Sequence, residues 1–127
     1  KNHAAIYLAG LSAEMYLKTA CFFLGGAARG DATQPLLGVI RPPRGSLSSR
    51  DYESGHGLKF WVTELMARRS RRGLAKPPRR FRRIAVPLWR EWYIGMRYRP
   101  GWAAAQQAAE FVTSVEWLAN NHARLRN

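Results

Sequence analysis

The residues of this sequence best suited to chemistry are cations, and they are clustered. Residues 68–83 read RRSRRGLAKPPRRFRR, where nine of sixteen positions are Lys or Arg (Arg68, Arg69, Arg71, Arg72, Lys76, Arg79, Arg80, Arg82, Arg83) and none is acidic. Guanidinium groups hold phosphate or carboxylate through paired N–H donors. Cations this close repel one another unless an anion neutralises them. Two readings carry equal weight: a solvated basic linker, and a contact for RNA phosphates. In the second, six or more engaged phosphates give a log affinity that falls with log salt at a slope of about −5 or steeper.

The remaining titratable residues suggest less. His3, His56 and His122 are scattered, with no second His or Cys at ligand spacing, so no metal site is expected. No cofactor is expected either. Cys21, the single cysteine, lies in an apolar run and reads as a small buried hydrophobe in a reducing, cytoplasmic setting. Across the chain, 21 Lys and Arg stand against 8 Asp and Glu, a net charge of +13 in 127 residues. Seventeen of the 21 are Arg. Such a balance implies a polyanionic or acidic partner, although a composition bias of the source genome gives the same Arg excess.

These groups must be positioned by helices within one domain, residues 1–127, since the length suits a single core. Residues 4–24 are apolar and long enough to raise the question of a membrane span. Glu14 and Lys18 argue against it, because each would cost about 2.5 to 3.5 kcal/mol mid-bilayer, whereas four residues apart on a soluble helix they attract. Gly25 and Gly26 end that helix. Residues 25–57, rich in Gly, Pro and Ser, read as a long loop: a mobile flap, a binding loop, or a stretch hiding a short helix or strand around Leu37. Leu58, Trp61, Val62, Leu65 and Met66 repeat as one stripe of a second helix. Gly73, Pro77 and Pro78 then interrupt the chain, so residues 68–84 read as a frayed helix end and an extended basic linker.

A third stripe, Ala85, Leu88, Trp89, Trp92, Tyr93 and Met96, predicts a helix ending near Arg97, with Pro87 in its first turn. After Pro100 and Gly101, Trp102 opens a last helix. Its inward face is Ala104, Ala108, Phe111, Val115 and Leu118, and Gln106, Gln107, Glu110, Ser114 and Asn121 take the other. No long alternating pattern occurs, so the expected fold is all-α, an antiparallel bundle of four to five helices. Trp61, Trp89 and Trp92 fall on apolar faces and are expected in the core. There is no basic-then-apolar leader with a cleavage site, so secretion is not expected; the first residue is Lys, as in a chain that begins inside a longer protein.

Four segments in this order, AIYLAGLSAEMYLKTA, GHGLKFWVTEL, W-x-x-x-MRY (Trp92 to Tyr98) and AAQQAAEFVTSVEWLANN, resemble the HEPN domains (higher eukaryotes and prokaryotes nucleotide-binding), in particular bacterial ones encoded beside a minimal nucleotidyltransferase. The resemblance covers nearly the whole chain, although the basic linker is longer and more charged than the family pattern. It implies a HEPN-like bundle, a possible homodimer, and a place in a toxin–antitoxin or defence-type system. Catalytic members are metal-independent ribonucleases with an Arg, four to six residues, then His at the last helix. Arg97 fits the Arg. The next histidine is His122, twenty-five residues on, so no imidazole stands ready to exchange a proton with the 2′-hydroxyl. Arg50 and His56 match the spacing elsewhere, but Arg50 sits in a Ser-rich loop, and His56 falls where the family's histidine caps or docks the second helix. Arg97, His56 and Arg50 are therefore weak catalytic candidates. The resemblance also implies that Tyr98 and Trp102, flanking Arg97 and Arg99, form a pocket for a nucleotide or phosphate. Against that, Arg97 pairs with Glu91, Glu14 or a partner's carboxylate.

Glu14 and Lys18 also admit two readings: an exposed pair worth about 0.3 to 0.5 kcal/mol, or a structural pair with Glu14 turned inward toward Arg97. The second is preferred. Together these features suggest a catalytically degenerate HEPN-like module that binds RNA or nucleotide and a nucleotidyltransferase-like or other effector protein. The rivals are an RNA-cleaving toxin and a structural subunit of a ribonucleoprotein assembly.

Overall fold

The computed structural model describes residues 1–26, 56–93, 96 and 101–127. Over these the fold is all-α, with four helices: α1 (Asn2–Leu24), α2 (Leu58–Arg71), α3 (Arg79–Glu91) and α4 (Ala105–Arg126). No strand occurs among the described residues. Arg50, Arg97, Tyr98, Arg99 and nearly all of the loop expected over 25–57 lie outside them.

The long apolar run forms α1, which packs against both α4 and α2 and sends Ile6, Ala13, Leu17, Ala20, Cys21 and Leu24 into one core. At one end Asn2 Nδ2 donates to Ala103 O (3.0 Å). Farther along, Tyr16 faces His122, and at the other end the Arg126 guanidinium lies over the Phe23 ring. Helices α1 and α4 therefore run side by side in the same direction. Helix α2 runs the same way, since His56 meets Glu14 and Arg72 meets Leu24 O. Helix α3 runs against the other three and brings Trp92 back to α1, where its Nε1 donates to Tyr7 O (3.0 Å). Gly10 makes that approach possible: a Cβ there would lie 2.0 Å from Trp92 Cδ1.

Stripes on α2 and α4 are buried as the periodicity predicts: Leu58, Trp61, Val62 and Leu65 on one, Ala108, Phe111, Val115 and Leu118 on the other. Helix α4 begins at Ala105, three residues after Trp102. Helix α3 departs further from expectation. It starts at Arg79 rather than near Ala85 and ends at Glu91 rather than near Arg97, because Phe81 and Ile84 extend its buried stripe of Ala85 and Leu88 backwards. The basic linker expected over 68–84 thus shrinks to the residues between Arg71 and Arg79, and Pro87 lies inside α3 instead of in its first turn.

An internal Pro removes one helix hydrogen bond and crowds the preceding turn. Pro87 is exposed, so nothing in the core requires its ring. Pro87→Ala is expected to raise stability by about 1 to 3 kcal/mol, read as a higher denaturant midpoint with an unchanged slope. A fall in the midpoint would show that the ring supports the packing of α3.

Candidate functional site

The fold divides the basic run into two groups with different surroundings. The first group ends α2. Gly73 (φ +66°) closes the helix in the left-handed region, with Leu74 N–H bonded to Arg69 O (3.0 Å) and Gly73 N–H to Ser70 O (2.9 Å), a Schellman ending. This stop sets three arginines against the ends of α1 and α4. Arg68 Nη1 donates to Cys21 O (2.8 Å) while its Nε pairs with Glu64 (2.7 Å), and Arg72 Nη1 donates to Leu24 O (3.2 Å). Arg69 is only 3% exposed. Its guanidinium donates to Ala75 O (2.6 Å), Arg124 O (3.3 Å), Leu125 O and Asn127 O (3.1 Å). Burial pushes the Arg69 guanidinium pKa below its ordinary value.

The electrostatic reason follows from helix direction. Parallel α1 and α4 present their carbonyl ends together, each with about half a negative charge and up to four carbonyls without an intrahelical partner. Arg68, Arg69 and Arg72 supply both donors and charge there. Of these three residues, expected from the sequence to bind phosphate, Arg69 is buried away from any ligand, Arg68 is partly covered, and Arg72 stays exposed beside its bond to Leu24 O.

The second group is open. Lys76, Arg79, Arg80, Arg82 and Arg83 are all exposed, and none has a hydrogen bond or ion pair among the described residues. Arg71, with its side chain 64% exposed, makes only a 3.3 Å contact to Glu64. The four arginines occupy the first turns of α3, which contain no acid and no side-chain cap. Cations at a helix N-terminus oppose its dipole, and Arg79 with Arg83 is a like-charge pair one turn apart. Left alone, the arrangement is unfavourable; a phosphate chain relieves both terms, since helix N-termini and Arg alike donate to phosphate oxygens.

A separate cluster joins α1 to α2. Glu14 is 3% exposed, and its Oε1 accepts from Lys18 Nζ and lies 2.9 Å from His56 Nδ1. The inward version of the Glu14–Lys18 pair is the one formed. Its partners are Lys18 and His56, with Arg97 outside the described residues. Because a carboxylate only accepts, Nδ1 of His56 carries the hydrogen, and the imidazole docks α2 against α1; the N-cap itself is Gly57, with no side-chain bond. Glu14 Oε2 is buried with no partner among the described residues. Glu14→Gln removes the charge that holds Lys18 and His56 and is expected to lower stability by about 2 to 4 kcal/mol. A change within about 0.5 kcal/mol in chemical denaturation would mean that Glu14 behaves like a surface residue.

His122 is held as well, with Nδ1 donating to Ala119 O (2.7 Å) and its ring 5.2 Å from that of Tyr16. Cys21 is buried with Sγ 3.6 Å from Trp61 O. Loss of water around the thiol pushes its pKa up to about 12, with Arg68 opposing and Glu64 adding to the shift. Burial raises the Glu91 carboxyl above its ordinary value, helped by the Glu110 charge and countered by a bond from Gln107. Among the described residues, no three His, Cys, Asp or Glu side chains are placed to hold a metal ion, and no helix is long and apolar enough to cross a membrane.

The indoles divide as sharply as the cations. Trp61 and Trp92 are buried and Trp89 packs partly against the core, whereas Trp102 is 87% exposed. Trp61 and Trp92 are in the core as the sequence predicts, and Trp89 only borders it. The capping arginines were not foreseen; for His56, expected to cap or dock α2, the docking is formed, with Glu14 as a partner the sequence did not point to, and the cap is not. No family model matches the chain, and no curated protein or solved structure does either.

Proposed function

We propose that this chain is an RNA-binding helical module of HEPN-like architecture, with α3 opposed to three parallel helices rather than in the regular antiparallel order expected from the sequence, and without the family's catalytic histidine, working in the cytoplasm with a nucleotidyltransferase-like or other effector protein in a toxin–antitoxin or defence-type system. The observation that carries the RNA contact is the group Lys76, Arg79, Arg80, Arg82 and Arg83: five exposed cations without a carboxylate partner among the described residues, around a helix N-terminus that has neither acid nor cap. A polyanion is the ligand class that satisfies all five at once. The positions of α1, α2 and α4 on three of the segments that resemble the HEPN pattern support the architecture. Homodimerisation through the bundle belongs to the same reading.

Cleavage is not part of it. His56 and His122 both have structural work, on Glu14 and on Ala119 O. The test is fluorescence anisotropy of a labelled single-stranded RNA with the purified chain in EDTA, followed by a denaturing gel. Binding with intact RNA is the expected result. Absence of binding at low salt would remove nucleic acid as the ligand. Metal-independent cleavage lost in Arg97→Ala would establish the ribonuclease reading instead.

A further inference from the structure

We infer that Trp102 is a stacking platform for an unpaired base, so that the RNA bound by this chain is single-stranded where it crosses this residue. The inference rests on the RNA reading above and adds to it a ligand form and a contact residue. Trp102 is the most exposed of the large apolar side chains described, ahead of Leu8, Met15 and Phe23. Its exposure is not that of a loose end. On one side Gly101 is seated so closely on His3 that a Cβ would lie 2.4 Å from the imidazole Nε2. On the other, Ala103 is buried and its carbonyl accepts from Asn2, and α4 starts at Ala105. The backbone is therefore fixed on both sides of a side chain that has only two rotatable bonds. A ring mounted this way loses little conformational freedom when a second ring covers it.

Charge selects the kind of ring. Trp102 stands where the positive ends of the parallel helices α1 and α4 meet; neither helix carries an acid of its own in its first turn, and the Glu91 carboxyl that reaches this end from α3 is bonded to Gln107. Lys1 and His3 belong to the same end. A flat apolar group attached to a negative backbone fits such a setting, and a nucleobase on its phosphate chain is that group. Bases in a duplex are stacked on each other and present no free face, whereas unpaired bases can lie on an aromatic side chain.

The test uses the whole chain and three probes: an adenine RNA long enough to run along the helices from the first turn of α3 to Trp102, an abasic ribose-phosphate strand of equal length, and a duplex of the same strand. Wild type is expected to bind the adenine RNA more tightly than the other two at equal salt, with quenching of the long-wavelength indole emission that only an exposed Trp gives. Trp102→Ala is expected to lose about ten-fold in affinity for the adenine RNA, the order of magnitude of one base–ring stack, and nothing for the abasic strand. Trp102→Phe is expected to recover most of the loss. A folded Trp102→Ala that binds adenine RNA as tightly as wild type, or wild-type emission unchanged at saturation, overturns the inference while leaving phosphate binding intact. Failure of wild type to bind any of the three strands overturns the RNA reading, and this inference with it.

Discussion

Replacing Arg79, Arg80, Arg82 and Arg83 together by Gln is expected to weaken RNA binding about 100-fold near physiological salt while the helices stay formed. The magnitude follows from counterion release. Each phosphate neutralised on a single strand contributes about 0.7 of a log unit per tenfold dilution of salt from 1 M, hence roughly 0.6 log unit near 0.15 M and about two orders of magnitude for four contacts. The same substitutions are not expected to destabilise the protein, because all four side chains are exposed and have no partner among the described residues. Removing like charges from the first turns of α3 relieves repulsion and an unfavourable dipole interaction. The paired readouts are anisotropy for affinity and circular dichroism with thermal melting for fold. Unchanged affinity in a well-folded variant would move the RNA contact away from α3.

Arg69→Ala is expected to do the reverse, costing about 3 kcal/mol or more of stability and lowering the melting temperature by roughly 10 °C for a chain of this size. A buried guanidinium that serves Ala75 O, Arg124 O, Leu125 O and Asn127 O joins the end of α2 to the end of α4 and to the segment leading into α3. Its removal leaves several carbonyls without this donor, that of Leu125 in a buried setting. Arg69→Lys is expected to recover only part, because one ammonium cannot match the spread of a guanidinium. Thermal melts of the two variants provide the check; a loss below about 1 kcal/mol would show the α4 terminus to be held by other contacts.

These opposite outcomes for residues of one run show what sequence pattern reveals and what it cannot. The all-α class and the buried stripes of α2 and α4 were legible because apolar residues at three- and four-residue spacing must face one core. The start of α3 was legible in principle: Phe81 and Ile84 continue the stripe of Ala85 and Leu88, but the arginines around them and Pro87 masked the period. The division of the arginines was not legible. Arg68, Arg69 and Arg72 differ from Arg79, Arg80, Arg82 and Arg83 through the parallel arrangement of α1 and α4, a tertiary fact that no local spacing encodes. The partner of Glu14 was hidden for the same reason, since His56 lies 42 residues away across a segment of Gly, Pro and Ser. Exposure of Trp102 was foreshadowed by its place beside Pro100 and Gly101, outside any apolar stripe.

The central claim, that five open cations hold a phosphate chain, is tested most directly by the salt dependence of RNA binding. With Lys76, Arg79, Arg80, Arg82 and Arg83 each neutralising one phosphate, a plot of log affinity against log salt for single-stranded RNA is expected to be linear with a slope of about −3.5. In the variant lacking the four arginines it is expected to flatten to about −0.7. A wild-type slope near zero, or a slope the substitutions leave unchanged, would contradict it.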